Sequence, residues 1–333
     1  MADHLSKTTT PHDLLSIRGL RVEFPPEWAP IVAIHDLNLT VAPGETVGLV
    51  GESGSGKTMT ARSVIRLLPP TARVTRGEIR FEGEDVLSAD SEELRRIRAN
   101  GIGTVFQDPY SSLNPVARIG DQITEVLRLN LGLEQGEAEA RAVEALEHVG
   151  IPSAKKRVRS YPHELSGGQR QRVMFAMATA ARPRLLLADE PTTALDVTTQ
   201  AQILALLKRL REETGLATIL VSHDFGVINQ TCDTVAVMYA GYIVEHAPVR
   251  RIYAHAQHPY TLGLVHSIPD IVPPDRRGHL STIAGQPPDL SSLPDGCPFK
   301  PRCSLAKPEC SQVDMTLEAV AERHFTACPF ARN

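Results

Sequence analysis

Gly51-Glu52-Ser53-Gly54-Ser55-Gly56-Lys57-Thr58 follows a short apolar run, ETVGLV, and opens a stretch of helical character reaching to about Leu68. The octet fits G-x-x-x-x-G-K-S/T, a spacing whose chemistry is the grip of phosphate. Glycines let backbone N–H groups converge on phosphate oxygens without Cβ obstruction, and the helix N-terminus adds a favourable dipole. In that geometry Lys57 meets the β- and γ-phosphates and the Thr58 hydroxyl coordinates Mg²⁺. A plain glycine turn would share the composition, but it would not need a strand before it and a helix after it.

A second set of groups lies far downstream. Leu185-Leu186-Leu187-Ala188-Asp189-Glu190 is an apolar strand ending in two carboxylates. Asp189 is placed to hold Mg²⁺ through water, and Glu190 to polarise a water attacking the γ-phosphate. The same residues would also serve as a strand followed by an acidic helix cap; the phosphate loop on the same chain favours the catalytic reading. Between the two lies Leu165-Ser166-Gly167-Gly168-Gln169, small residues opening a helix from Arg170 to Ala180. That is a second helix N-terminus suited to an anion. One ATP does not need two such ends from one domain, whereas a second protomer does.

LSGGQ, lying between the phosphate loop and the Asp-Glu strand, resembles the signature of the ABC ATPases. Further positions match that family one at a time. Gln107, in TVFQDP, matches the Q-loop glutamine, which in the family contacts Mg²⁺ and the attacking water beside the membrane subunit's coupling helix. Ala194-Leu195-Asp196 looks like the D-loop that crosses the dimer interface, and His223, in LVSHD, like the H-loop histidine that touches the γ-phosphate. The resemblance implies nucleotide contacts for Gly51, Ser53, Gly54, Ser55, Gly56, Lys57, Thr58, Gln107 and Asp189. From the opposing subunit it implies contacts by Ser166, Gly168, Gln169 and Asp196. The adenine-stacking aromatic is Phe24 or, because PPEWAP interrupts the match, Trp28. Catalytic roles fall to Glu190, His223 and Gln107, and Mg²⁺ to Thr58, Gln107 and Asp189.

The likeness spans roughly residues 14 to 330. FQDPYSSLNP, ADEPTTALDVTTQAQIL, MYAGYIVE and HPYTLGLVHSIP resemble the dipeptide and oligopeptide permease ATPases. ADEPTTALDV is closer to the D-type subunit and FQDPYSSLNP to the F-type. The resemblance implies a P-loop NTPase (RecA-like) α/β core with an antiparallel β subdomain and a helical ABC subdomain. It also implies a second ABC ATPase of F-type as partner, two transmembrane permease subunits and an extracytoplasmic substrate-binding protein. The implied cargo is di- or oligopeptide, with nickel or another small solute, or a non-transport ABC ATPase, as alternatives.

The elements that must position these groups are visible in the apolar pattern. IRGLRVEF and IVAIHDLNLTV read as an antiparallel strand pair, residues 91–99 and 118–182 as mostly helical, and LLLAD and ATILVS as buried parallel strands around an amphipathic helix, TQAQILALLKRLREETG. Strand–helix–strand alternation around a helical insert predicts an α/β domain. The expected division is a mobile N-terminus over 1–13, an ATPase domain over 14–265 with its helical subdomain at about 108–182, and a C-terminal extension over 266–333.

The tail has a different texture. Ten of the 25 prolines fall after Ile268 together with four of the five cysteines, so this segment buries little apolar surface and needs another support. GCPFKPRCSLAKPEC and HFTACPF space Cys297, Cys303, Cys310 and Cys328 as C-x5-C-x6-C-x17-C, and resemble the C-terminal oligopeptide-transporter extension. Four thiolates suit a [4Fe–4S] cluster; they would also suit a structural Zn²⁺, or carry no metal. Cys232, in a helical stretch after His223, reads as a small buried apolar residue.

Composition sets the outer bounds. A chain of 333 residues with 42% hydrophobic and 22% charged content can bury a sizeable core. Its net charge of −4 gives no electrostatic reason to expect nucleic acid or anionic lipid. No apolar stretch approaches the ~18 residues a bilayer span needs, and MADHLSKTTTPHD lacks the apolar centre of a secretory signal. The expectation is a cytosolic chain held peripherally at the inner face of the cell membrane by other subunits.

Overall fold

The computed structural model describes residues 13–25, 31–108, 112–193, 195–268 and 283–330. The N-terminal stretch expected to be mobile, apart from Asp13, lies outside them, as do Trp28 and Ala194. In chain order the strands are β1 Leu15–Phe24, β2 Ile31–Val41, β3 Thr46–Val50, β4 Arg73–Phe81, β5 Glu84–Asp85, β6 Ile102–Val105, β7 Leu185–Asp189, β8 Ala217–Ser222, β9 Thr234–Tyr239, β10 Tyr242–Pro248, β11 Glu318–Ala321 and β12 His324–Thr326. The α-helices are α1 Lys57–Val64, α2 Ser91–Arg96, α3 Ile119–Leu131, α4 Gln135–His148, α5 Ala154–Arg157, α6 Gly167–Thr179, α7 Val197–Thr214, α8 Phe225–Thr231, α9 Val249–His255 and α10 Pro259–His266. Among the described residues no helix is long and apolar enough to cross a membrane.

Two compact units emerge. One is drawn from residues up to Leu14, Val41–Glu45 and Phe81–Leu220; the other comprises Leu15–Thr40, Thr46–Arg80 and the chain from Val221 onward. In the first, β8, β7 and β6 are neighbours in that order, and β6 runs parallel to β7 with Ile102 opposite Leu185 and Val105 opposite Ala188. Leu185, Leu186, Leu187 and Ala188 are all buried, as strands covered on both faces require. The helical part of this unit packs α3, α4 and α6 together. Ile119, Ile123 and Leu127 recur every four residues on α3, and Ala138, Ala142 and Leu146 do so on α4; all six are fully buried. That spacing lines one face of a helix, and each such Ile or Leu contributes about 1.5–3 kcal/mol of burial. Gly132 and Gly215, both left-handed, end α3 and α7.

In the second unit β2, β1 and β4 are neighbours, with Leu37 and Leu39 turned inward while Asn38 and Thr40 face water. A second sheet has the order β11-β12-β10-β9-β3, with β3 parallel to β9 and antiparallel pairing from β9 through to β11. Ala240 and Gly241, both at positive φ (48° and 80°), make the tight turn between β9 and β10. Two such residues match the right-handed twist of the flanking strands.

Three local expectations are corrected. The helix after the phosphate loop stops at Val64 rather than Leu68, because Arg66 takes a left-handed conformation. Residues 91–99 divide into α2 and a wider π-type turn over Ile97–Gly101. Cys232 is half-buried and extended, capping α8 rather than lying within a helix.

The tail is held more firmly than its composition foretells. β12 adds to β10 with Glu245 opposite Thr326 and His246 opposite Phe325. Phe299 is buried against Tyr239, Tyr260 and His258, with ring centroids 5.2, 5.4 and 5.9 Å away. Fully buried Glu245 accepts from the backbone N–H groups of Gln257 (2.7 Å) and His258 (2.9 Å), and its Oε1 lies 2.7 Å from His324 Nε2. A buried carboxylate is tolerated when its oxygens are satisfied in this way.

Candidate functional site

In the second unit, the five buried residues of β3 deliver the chain directly into the loop Gly51–Gly56, and Lys57 and Thr58 begin α1. Gly51 must be glycine for a steric reason: a Cβ there would stand 2.1 Å from the Met238 carbonyl oxygen. The Gly241 N–H in the β9–β10 turn donates to the Ser55 carbonyl at 3.0 Å, so the hairpin props the loop. Lys57 is buried, and its Nζ donates to the carbonyls of Gly51 (2.7 Å) and Glu52 (2.8 Å) and to Ser55 Oγ (3.3 Å). An anionic oxygen is a stronger acceptor for an ammonium than the carbonyl and hydroxyl oxygens that enclose Lys57 here. In the same unit Phe24 ends β1 half-buried, and His223 stands exposed just past β8.

In the first unit the register of β6 on β7 decides which side chains meet. Each strand residue on β6 faces the β7 residue 83 positions later, and that offset persists two residues beyond the pairing. Gln107 Nε2 therefore donates to Glu190 Oε2 at 3.0 Å. Thr193 Oγ1 donates to the same oxygen at 2.8 Å. Glu190 has φ 47°, a left-handed conformation that costs a non-glycine residue energy and is concentrated at functional sites. Asp189, the last residue of β7, is buried beside it in sequence.

Ser166 is the N-cap of α6. Its Oγ accepts from the Gln169 N–H (3.3 Å), and Gln169 Oε1 accepts from the Ser166 N–H (3.2 Å), a reciprocal capping box. A Cβ on Gly168 would lie 2.6 Å from Thr199 Cγ2. The same Thr199 donates through its N–H (2.9 Å) and hydroxyl (2.7 Å) to Asp196, the N-cap of α7. Those hydrogen bonds hold the Asp196 carboxyl below its ordinary value. The residues of the signature and of the Asp196 loop thus share one threonine. Sequence reasoning passed over Thr193, Thr199 and Tyr260, whose only signal is a hydroxyl within or beside a motif.

Cys297, Cys303, Cys310 and Cys328 all border one cavity, with Phe299, Phe330 and His258. Burial pushes the Cys297 thiol up to about 11, and raises Cys303 as well. His258 Nδ1 accepts from the Tyr260 N–H at 3.1 Å, burial lowers its pKa to about 4, and its buried Nε2 finds no partner among the described residues. Among the described residues no group of three or more His, Cys, Asp or Glu is disposed around a single metal ion.

Comparison with known proteins agrees with this geometry. Residues 34–193 match the ABC transporter family, and residues 244–310 match the oligopeptide/dipeptide transporter C-terminal region. A protein of Brucella ovis named as a peptide import ATP-binding protein is 49% identical over 95% of this chain and 96% of its own. The oligopeptide transport ATP-binding protein OppD of Haemophilus influenzae is 48% identical over 89% of this chain and 91% of its own. Among solved structures, the dimeric ATP-binding cassette MJ0796 bound to ADP and phosphate aligns with TM-score 0.64 at 30% identity, over 71% of this chain and 99% of that one. The cbiO1 protein of Clostridium perfringens, part of the transporter complex cbiONQ, aligns with TM-score 0.64 at 26% identity, over 73% and 92%. The fold is that of the ABC cassette: a P-loop NTPase with a mixed sheet, an antiparallel β sheet and a helical subdomain. This chain belongs to the ATP-binding family of ABC transporters and carries that family's oligopeptide/dipeptide transporter C-terminal region.

Proposed function

We propose that this chain is the ATP-hydrolysing subunit of an importer for di- or oligopeptides, and that it works as half of a nucleotide-sandwich dimer. One observation supports the reading: GESGSGKT opens α1 and LSGGQ opens α6, two separate helix N-termini of the kind whose N–H groups and dipole favour an anion. The OppD likeness and the matched C-terminal region support peptide as cargo. The described dimer of MJ0796 supports the pairing.

In this reading the N–H groups of Gly51–Thr58 and Lys57 bind the phosphates, and Phe24 stacks on adenine. The γ-phosphate is presented to Ser166, Gly168 and Gln169 of a second ATPase, with Asp196 at the interface. Thr58, Gln107 and Asp189 offer only oxygen donors to Mg²⁺, as a hard cation prefers. Bound there, the ion neutralises phosphate charge. Glu190 removes a proton from the attacking water, and His223 stabilises the transferring phosphoryl group. Closing and reopening pass through the Gln107 loop and the helical subdomain, about 108–182, to two permease subunits. The second ATPase is a homologous F-type chain, an extracytoplasmic protein delivers substrate, and the assembly places this chain peripherally on the cytoplasmic face of the membrane. The ATPase domain is residues 14–265 and the extension 266–333.

Phosphate release from the complex with its membrane subunits and binding protein is the test. Peptides are expected to stimulate it severalfold, and stimulation by nickel alone would overturn the cargo assignment.

The four cysteines are proposed to ligate a [4Fe–4S] cluster. All four line one cavity, where His258 Nε2, without a partner among the described residues, offers a donor to sulfur. Thiolates of a cluster bind four different iron atoms, so they stand farther apart than the ligands of one zinc ion. Bound, the group cross-links the tail. Anaerobic purification should yield a brown protein with visible absorption that bleaches on reduction, and with iron and sulfide in equal amounts. A colourless product carrying zinc, or no metal, would overturn this assignment.

A further inference from the structure

Arg302 belongs to the tail, next to Cys303, and lies 250 residues from the loop it contacts. Its Nη1 and Nη2 donate to the two carboxylate oxygens of Glu52 at 2.6 and 2.9 Å. The rest of the guanidinium is engaged as well: Nε donates to the Ala284 carbonyl (2.9 Å), and Nη1 to Tyr239 Oη (3.3 Å). The pair is largely withdrawn from water, with 7% of the Arg302 side chain exposed and 24% of that of Glu52. A planar fork on both carboxylate oxygens fixes direction as well as distance.

Glu52 is the second residue of the phosphate loop, and each of its polar groups is committed. Its side chain goes to Arg302, its N–H donates to Tyr260 Oη (2.8 Å), and its carbonyl accepts from Lys57 Nζ (2.8 Å). The segment read as the phosphate cradle thus carries a carboxylate of its own, and left unpaired that charge would repel an incoming triphosphate. Arg302 is the cation that cancels it.

We propose that Arg302 is a positioning residue of the ATP site: reaching out of the cysteine-bearing tail, it neutralises and orients Glu52, so that the phosphate loop is preformed, with Lys57 rather than Glu52 setting its charge, when nucleotide arrives. The tail is then part of the nucleotide-binding machinery rather than an appendage. This inference rests on the reading of Gly51–Thr58 as the phosphate cradle.

The test uses the full-length chain in its transporter complex, with phosphate release measured against Mg-ATP concentration. Arg302→Ala is expected to raise KM for ATP about tenfold while changing kcat by less than about twofold. Arg302→Lys should recover part of that loss, because one charge with a single contact replaces the fork. Adding Glu52→Gln to Arg302→Ala should lower KM again, since no uncompensated carboxylate remains. An unchanged KM in Arg302→Ala overturns the proposal. So does a double variant no better than Arg302→Ala alone, the result expected if the tail had merely come loose. Should Arg302→Ala fail to assemble, Arg302→Gln, which keeps hydrogen-bonding groups but not the charge, decides: a KM raised severalfold supports the role, and an unaltered one overturns it. Lys57→Ala separates the two levels: normal ATP affinity in that variant would remove the cradle itself, whereas its loss beside a normal Arg302→Ala would remove only the role of Arg302.

Discussion

Glu190→Gln is expected to bind Mg-ATP with near-normal affinity and to hydrolyse it about 10²- to 10⁴-fold more slowly, the usual contribution of a positioned general base. The substitution preserves the local structure. Glu190 Oε2 receives hydrogen bonds from Gln107 Nε2 and Thr193 Oγ1, and a glutamine carbonyl oxygen can receive both. The side-chain volume is kept, and the left-handed backbone at φ 47° makes the same demand on either residue. What is lost is basicity, together with the negative charge that polarises water. The complex should therefore accumulate with ATP bound in the closed form. Nucleotide retention and phosphate release, measured on the same preparation, check both halves; turnover at the normal rate would remove Glu190 from its role.

Lys57→Ala acts at an earlier step. The ammonium is buried and makes three hydrogen bonds to its own loop. In the proposed cradle those contacts are expected to give way to phosphate oxygens on ATP binding, each charge-assisted bond contributing about 1.5–3 kcal/mol. Truncation should weaken ATP binding by about a hundredfold. It also leaves the carbonyls of Gly51 and Glu52 without this donor, so a modest fall in melting temperature is expected alongside. Titration of Mg-ATP onto the folded variant checks the claim, and unaltered affinity would contradict the cradle assignment. Glu190→Gln and Lys57→Ala thus separate the chemical step from binding.

Part of this protein is decided along contiguous stretches of chain. GESGSGKT, LSGGQ and LLLADE each carry their chemistry within eight residues, because glycine conformation, helix N-terminal N–H groups and strand burial are local properties. The alternation of Leu37 and Leu39 with polar neighbours, and the four-residue rhythm of Ile119, Ile123 and Leu127, likewise point to sheet and helix before any folding. The early end of α1 was not in view: a proline at 69 restricts only Leu68, whereas the helix stops at Val64 and Arg66 turns left-handed.

Other features depend on residues far apart in sequence. Gln107 meets Glu190 because β6 pairs with β7 in one register; a slip of one residue would turn the side chains to opposite faces. The proline-rich tail is read from composition as weak. It is nevertheless anchored by Phe299 among aromatic rings, by β12 on β10 and by His324 on buried Glu245, none of which a local pattern encodes. Arg302 and Glu52 are each unremarkable in the chain, one arginine before a cysteine and one variable position in a loop. Sequence alone determined where the segments proposed to hold phosphate and to activate water lie in the chain. Only the tertiary structure decided which distant side chains hold those segments in place, because strand register and core packing are set by the whole chain at once.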